Sequence, residues 1–136
     1  DLRVLAGTTP VQGPGVRLRV DGQDAFFASD LLNTVQELRD AGAEAIEVND
    51  QRVVVNTWFA DETAGISVSG VVVGSPYTIV AIGGPTTMAT AMSIPGGVVD
   101  TVESQDGSVV ITELETVTIA STVNLPALDP QVSVTD

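Results

Sequence analysis

The spacing of apolar and polar residues changes several times along the chain, and each change marks a structural element. Val16-Arg17-Leu18-Arg19-Val20 alternates apolar with charged residues, which predicts a half-buried strand with both arginines on its wet face. Ahead of it, Asp1 to Ala6 is helix-like, but the prolines and glycines of Thr9-Pro10-Val11-Gln12-Gly13-Pro14-Gly15 forbid further helix. Residues 1–15 therefore read as a lead-in segment that turns sharply. From Ser29 the period becomes helical: Leu31, Leu32, Val35 and Leu38 face inward while Asn33, Gln36, Glu37, Arg39 and Asp40 face out. Ser29 or Asp30 suits the N-cap, and Gly42 suits the stop. Ala45 to Val55 predicts a hairpin, with Ile46 and Val48 before a turn at Asn49-Asp50-Gln51 and Val53 to Val55 after it.

Residues 60–65 read as a polar connection. Ile66 to Val73 reads as a strand in which Ser67, Ser69 and Gly70 permit a close turn or bulge. Tyr77 to Ile82 is almost wholly apolar, as a central covered strand should be. After Gly83-Gly84-Pro85, a helix over Thr86 to Met92 breaks at Ile94-Pro95-Gly96-Gly97 and resumes from Val98 to Ser104, with Val98, Val99 and Val102 as its apolar face. Val109 to Ile119 predicts a long strand whose alternation slips near Glu113 to Glu115, the mark of a bulge. Residues 120–136, with Pro126 and Pro130, read as a loosely ordered tail. The predicted class is α+β: a ferredoxin-like two-layer sandwich with a mixed sheet, an extra hairpin and two main helices on one face. Residues 16–119 form its single domain.

Composition narrows the function classes. With 136 residues, 43% of them hydrophobic, the chain is long enough for one well-buried core. Its net charge of −13 includes only five cations, all arginine: Arg3, Arg17, Arg19, Arg39 and Arg52. No basic face can be assembled from these, which argues against nucleic acid as a partner and against direct contact of this domain with anionic lipid. No stretch approaches the roughly 18 consecutive apolar residues of a membrane span. The sequence starts at Asp1 rather than methionine, so it reads as either a processed product or an excised segment.

Histidine, cysteine and lysine are all missing, which removes imidazole, thiolate and Schiff-base chemistry. No catalytic residue, metal site or cofactor is expected. Gly83-Gly84 could hold an anion at a helix start, but turn geometry explains it more simply. The carboxylates Asp100, Glu103 and Asp106, Glu113 and Glu115, and Glu44 and Glu47 all fall on the polar faces of their elements, whereas a catalytic acid needs burial. They also lack the loop pattern of a calcium-binding EF-hand. Aromatic residues make up only 4% of the chain, and the pairs Phe26-Phe27 and Trp58-Phe59 sit at strand ends and loops. They suit either a contact patch or packing in the core or at its rim.

Several short motifs follow one another along the chain: Leu5-Ala6-Gly7; Thr9-Pro10-Val11 with Gly13-Pro14-Gly15-Val16; Leu38-Arg39; Ala41-Gly42-Ala43-Glu44-Ala45-Ile46; and Asn49 with Gln51-Arg52-Val53. Pro76-Tyr77, Ala81-Ile82-Gly83 with Pro85, and Pro95-Gly96-Gly97 complete the series. In these the chain resembles the DUF881 proteins, a bacterial family of unknown function, over about residues 2–119. The resemblance implies an N-terminal transmembrane helix, a coiled-coil-like stretch and then this domain on the extracytoplasmic face of the cell membrane. It also implies a role near cell division or wall assembly, and it carries over no catalytic or ligand residues. Asn56-Thr57-Trp58-Phe59 departs from the family pattern. The expected function is therefore a non-enzymatic interaction or scaffold domain whose partners are envelope or division proteins, with Trp58, Phe59, Arg17 and Arg19 as candidate contacts and self-association left open. The alternative is a small-molecule-binding regulatory module with a pocket near Gly83-Gly84 and Pro95-Gly96-Gly97. A wall-glycan hydrolase using Asp100 or Glu103 ranks third.

Overall fold

The computed structural model describes residues 7, 9–22 and 24–122. The helix-like fragment expected at Asp1 to Ala6 and most of the expected tail lie outside the described residues. Strand β1 (Val11–Asp21) leads into helix α1 (Ala28–Asp40), then β2 (Ala45–Val48) and β3 (Gln51–Val53). Three short strands follow, β4 (Phe59–Glu62), β5 (Gly65–Val68) and β6 (Val71–Val73). The chain closes with β7 (Tyr77–Ile82), α2 (Pro85–Ser93), α3 (Val98–Glu103) and β8 (Ser108–Ile119).

The class is α+β, built on a five-stranded sheet in the order β3-β2-β7-β1-β8 and a three-stranded sheet in the order β4-β5-β6. Both sheets are antiparallel throughout, which corrects the expectation of a mixed sheet. The physical reason is the crossover. β1 and β2 run in the same direction on either side of α1, but β7 inserts between them, so neither has a parallel neighbour.

Alternation along β1 decides the layers. Val16, Leu18 and Val20 join Leu31, Val35 and Leu38 of α1, Met88 and Met92 of α2 and Val102 of α3 in one core, so all three helices cover one face of the large sheet. Leu32, expected inside, is 43% exposed, and Thr34 takes the buried position. Its hydroxyl donates to the Asp30 carbonyl at 2.7 Å, which removes the cost of burying it. Gly42 stops α1 as expected, at φ +97°, with the Ala43 amide bonded to the Leu38 carbonyl at 2.9 Å.

The second sheet is absent from the sequence reading. Residues 60–65 are not a plain connection: Phe59–Glu62 pairs with Gly65–Val68 around a tight turn. The expected strand from Ile66 to Val73 folds back on itself at Ser69-Gly70, whose φ angles of 46° and 96° are those of a hairpin turn with two left-handed residues. Asn49-Asp50, at 44° and 68°, makes the same kind of turn between β2 and β3. β3 consequently ends at Val53, and Val55 projects into solvent at 88% exposure. Phe59, Ile66, Val68 and Val73 join the main core, so the small sheet shares it.

The lead-in also differs from its expectation, because Val11 to Gly15 is strand. Between Gly13 and Gly15 the register slips, Gly13 facing Val117 and Gly15 facing Leu114, so β8 holds an extra residue there. That bulge accommodates Pro14, which has no amide to give a ladder. Past it the β1–β8 ribbon bends over the helix-free face of the sheet. Val117 and Ile119 pack there on Ala45 and Ile82, together with Val11, Val80 and Leu114.

Tyr77 opens the central strand against Phe26, with ring centroids 5.4 Å apart. Burial first, and the charge of Asp61 second, raise its pKa above the ordinary 10.0. A proton held more tightly in the folded state stabilises the fold below the unfolded value and ceases to do so as pH rises through the folded one. Stability is therefore expected to fall above about pH 10 as Tyr77 ionises. Tyr77 is the only tyrosine, so phenolate absorbance reads it alone, and Tyr77→Phe should flatten the alkaline limb.

Candidate functional site

A concave surface lies where the start of α1 meets β4. Its placement follows from local hydrogen bonding. The Thr57 hydroxyl accepts from the Val54 amide at 2.8 Å, closing the turn after β3. Trp58 is then held at both backbone groups by Ser69: its amide donates to the Ser69 hydroxyl at 3.2 Å, and its carbonyl accepts the Ser69 amide at 2.8 Å. Asp61 accepts the Ala28 amide at 2.7 Å, joining β4 to the first turn of α1. The N-cap is Phe27 rather than the expected Ser29 or Asp30, and Asp30 acts from within the helix by accepting the Phe27 amide at 3.0 Å.

Between these elements runs a groove of about 540 Å³ lined by Ala28, Ser29, Leu32, Thr57, Trp58, Phe59, Ala60 and Asp61. Trp58 is 53% exposed on its wall, opposite the exposed Leu32, while Phe59 is half-buried and packs against the core. The backbone of Trp58 is thus fixed while its side chain and that of Leu32 are exposed.

Arg17 and Arg19 lie elsewhere. They alternate with the core residues of β1 and so face the helix-free side of the sheet, Arg17 between Val80 and Thr112 and Arg19 between Thr78 and Val110. Arg19 is exposed and pairs with Asp21 at 2.9 Å; that hydrogen bond and then the charge of Asp21 raise its pKa. The four candidate contact residues thus split between opposite sides of the domain, two in the groove and two on the far face.

The carboxylate candidates do not converge. Asp100 accepts the Gly96 amide at 2.8 Å, Glu103 and Asp106 are exposed, and Glu113 accepts the Thr86 hydroxyl at 3.0 Å. No cluster of three or more potential metal ligands occurs among the described residues. The Gly83 amide is bonded to the Pro14 carbonyl at 2.9 Å, and with Glu113 tied to Thr86 in the first turn of α2, that end of the helix is poorly suited to an anion. A smaller hollow of about 260 Å³ does lie between α1 and the α2–α3 link, lined in part by Asp30, Asn33, Glu37, Gly96 and Gly97. Gly83 and Gly84 are not part of it.

One polar cluster escaped the sequence reading. Glu47, expected on a solvated face, is buried at 9% exposure, and Arg52 at 4% stands opposite it in the β2–β3 ladder. The Arg52 guanidinium donates from one nitrogen to the carbonyls of Thr9 at 2.9 Å and Ser121 at 3.0 Å. The Ser121 hydroxyl donates to the Glu47 carboxylate. Burial lowers the pKa of Arg52 and the charge of Glu47 opposes this, so the guanidinium stays charged. The Arg52 cluster thus clasps the segments entering β1 and leaving β8 where they cross the open face of the sheet. The available signal was the spacing of opposite charges around Asn49-Asp50, which places Glu47 and Arg52 as cross-strand partners.

The family model described as "Bacterial protein of unknown function (DUF881)" matches residues 1–131. The chain belongs to the DUF881 family. It is 38% identical over 125 residues to the UPF0749 protein Rv1825 of Mycobacterium tuberculosis, covering 88% of this chain and 43% of that protein. The UPF0749 protein YlxW of Bacillus subtilis is 30% identical over 111 residues, covering 72% of this chain and 47% of that protein. The chain therefore spans less than half the length of these DUF881 relatives. A crystal structure of an uncharacterized conserved protein from Mycobacterium tuberculosis superposes with a TM-score of 0.84 at 35% identity, covering 91% of this chain and 90% of that one.

Proposed function

We propose that this domain is a non-enzymatic interaction module that uses the Trp58 groove to hold a protein partner at the extracytoplasmic face of the cell membrane. The observation that carries the reading is the groove itself, with a wet tryptophan on a backbone fixed at both polar groups. In the proposal the longer protein supplies the membrane anchor, and the partner belongs to the division or wall-assembly machinery. The fold reading that goes with it is ferredoxin-like: β1, β2, β7 and β8 lie in the order β2-β7-β1-β8, that of a split β-α-β sandwich, with β3 added at one edge and β4 to β6 inserted. What supports the location is the membrane anchor that the DUF881 resemblance implies upstream of this domain.

Two measurements test it. A cysteine placed at the exposed Ser104 of the full-length protein, with other cysteines replaced, should react with a membrane-impermeant maleimide in intact cells; reaction only after lysis would contradict the location. Trp58→Ala should abolish recovery of the partner while changing unfolding free energy by no more than about 0.5 kcal/mol, because the side chain is mostly in water. Phe59→Ala is a poorer probe, since Phe59 also packs against the core.

The alternative of a small-molecule regulatory module would use the hollow beside Gly96-Gly97. Its volume of about 260 Å³ falls just short of the range of about 300–1,000 Å³ typical of ligand sites.

A further inference from the structure

The segments that build the Trp58 groove also carry a one-sided charge. Residues 24–37 and 54–76 contain no arginine, lysine or histidine, and of their carboxylates Asp61 lines the groove with Glu62 next to it in β4, whereas Asp30 and Glu37 line the smaller hollow beside Gly96-Gly97. The cations of the described domain are Arg17 and Arg19 on the far face, Arg39 in the last turn of α1, and the buried Arg52. A ligand entering the groove therefore meets apolar walls, an indole face and the Asp61 carboxylate, with no cation on the segments that build it.

Resting on the reading of this groove as a contact surface, we infer that its occupant is a cationic protein segment, with an aliphatic side chain seated against Trp58, Leu32 and Phe59 and flanking lysine or arginine facing Asp61 and Glu62. The chemistry is selective in both directions. An indole face attracts ammonium and guanidinium groups, and Asp61 and Glu62 repel anionic peptides and anionic lipid headgroups. The apolar anchor provides the burial that a purely electrostatic contact lacks at physiological ionic strength.

Trp58 is the only tryptophan in the chain, so its fluorescence reports occupancy of this groove. Three short synthetic peptides serve as probes: leucine with lysine, leucine with glutamine, and leucine with glutamate, in one common pattern. The leucine–lysine peptide should give a saturable fluorescence change that weakens as salt is raised, and it should bind more than about tenfold tighter than the glutamate version. Asp61→Asn with Glu62→Gln, which keeps an acceptor for the Ala28 amide, should erase most of that preference. Equal binding of all three peptides would overturn the cationic assignment while leaving the groove as a contact surface. No change at Trp58 with the lysine peptide, in protein whose unfolding transition is normal, would overturn the assignment as well; recovery of a partner that Trp58→Ala abolishes would then still uphold the contact surface.

Discussion

Replacing Arg52 by methionine should lower unfolding free energy by about 3 kcal/mol, because it leaves the buried Glu47 carboxylate without its counter-charge. The same change removes the donor shared by the Thr9 and Ser121 carbonyls. Methionine retains most of the volume, so the loss reports charge and hydrogen bonding rather than a cavity. Adding Glu47→Met should restore much of the stability, since an apolar pair of similar size tolerates burial. Denaturant unfolding of the two single variants and the double variant measures this coupling. Amide exchange should rise at Thr9 to Gly13 and at Val117 to Ser121 in Arg52→Met, because the clasp joins both segments to β3. An Arg52→Met protein that unfolds like the parent, with unchanged exchange there, would remove the clasp from the account.

Gly15→Ala should cost at least about 3 kcal/mol, through steric conflict rather than lost attraction. A Cβ at this position would overlap the Ala81 carbonyl oxygen and lie 3.1 Å from the Ile82 Cα, and both are backbone atoms of the central strand. Neither can move without opening the β1–β7 ladder that pairs Gly15 with Ile82. Gly84→Ala provides the control, since its new methyl group would meet nothing nearer than the Thr87 hydroxyl at 3.7 Å. That change should cost no more than about 1 kcal/mol, the loss of a favourable N-cap residue. Thermal or urea unfolding of the two variants distinguishes a close backbone approach at Gly15 from a general intolerance of alanine in glycine-rich turns.

The elements that the sequence displayed well are those with long, one-sided periods. α1 shows its face through Leu31, Val35 and Leu38, β7 through an almost wholly apolar run, and the β8 bulge through the slip of alternation near Glu113 to Glu115. The small sheet stayed hidden because β4, β5 and β6 are three or four residues each, too short for a period, and because Asp61 and Glu62 made a strand look like a connection. The lead-in was misjudged for a different reason. Gly13-Pro14-Gly15 has the composition of a turn, yet its glycines serve a close strand approach and its proline sits at a bulge.

The site was half legible. Aromatic clustering pointed to Trp58 and Phe59, and both line the groove. The opposite wall, Ala28, Ser29 and Leu32, comes from α1, a tertiary contact that no local pattern encodes. Arg17 and Arg19 could be placed on the wet face of β1, but which side of the domain that face occupies depends on where the helices pack. Glu47 looked solvated because β2 and β3 were read in isolation, without Arg52 as its cross-strand partner. Their burial comes from the bent β1–β8 ribbon and the segments around Thr9 and Ser121, which reach them from opposite ends of the sequence.

The central claim is that the Trp58 groove, and not the arginine-bearing face of the sheet, holds the partner. The most direct test is photo-crosslinking in living cells, with a photoreactive residue placed in the full-length protein at Leu32 in the groove or at the exposed Val110 on the far face. The account predicts a discrete adduct of the same size at every repeat from position 32, lost on Trp58→Ala, and none from position 110. An adduct from position 110 with none from position 32 would contradict it and move the contact surface to Arg17 and Arg19.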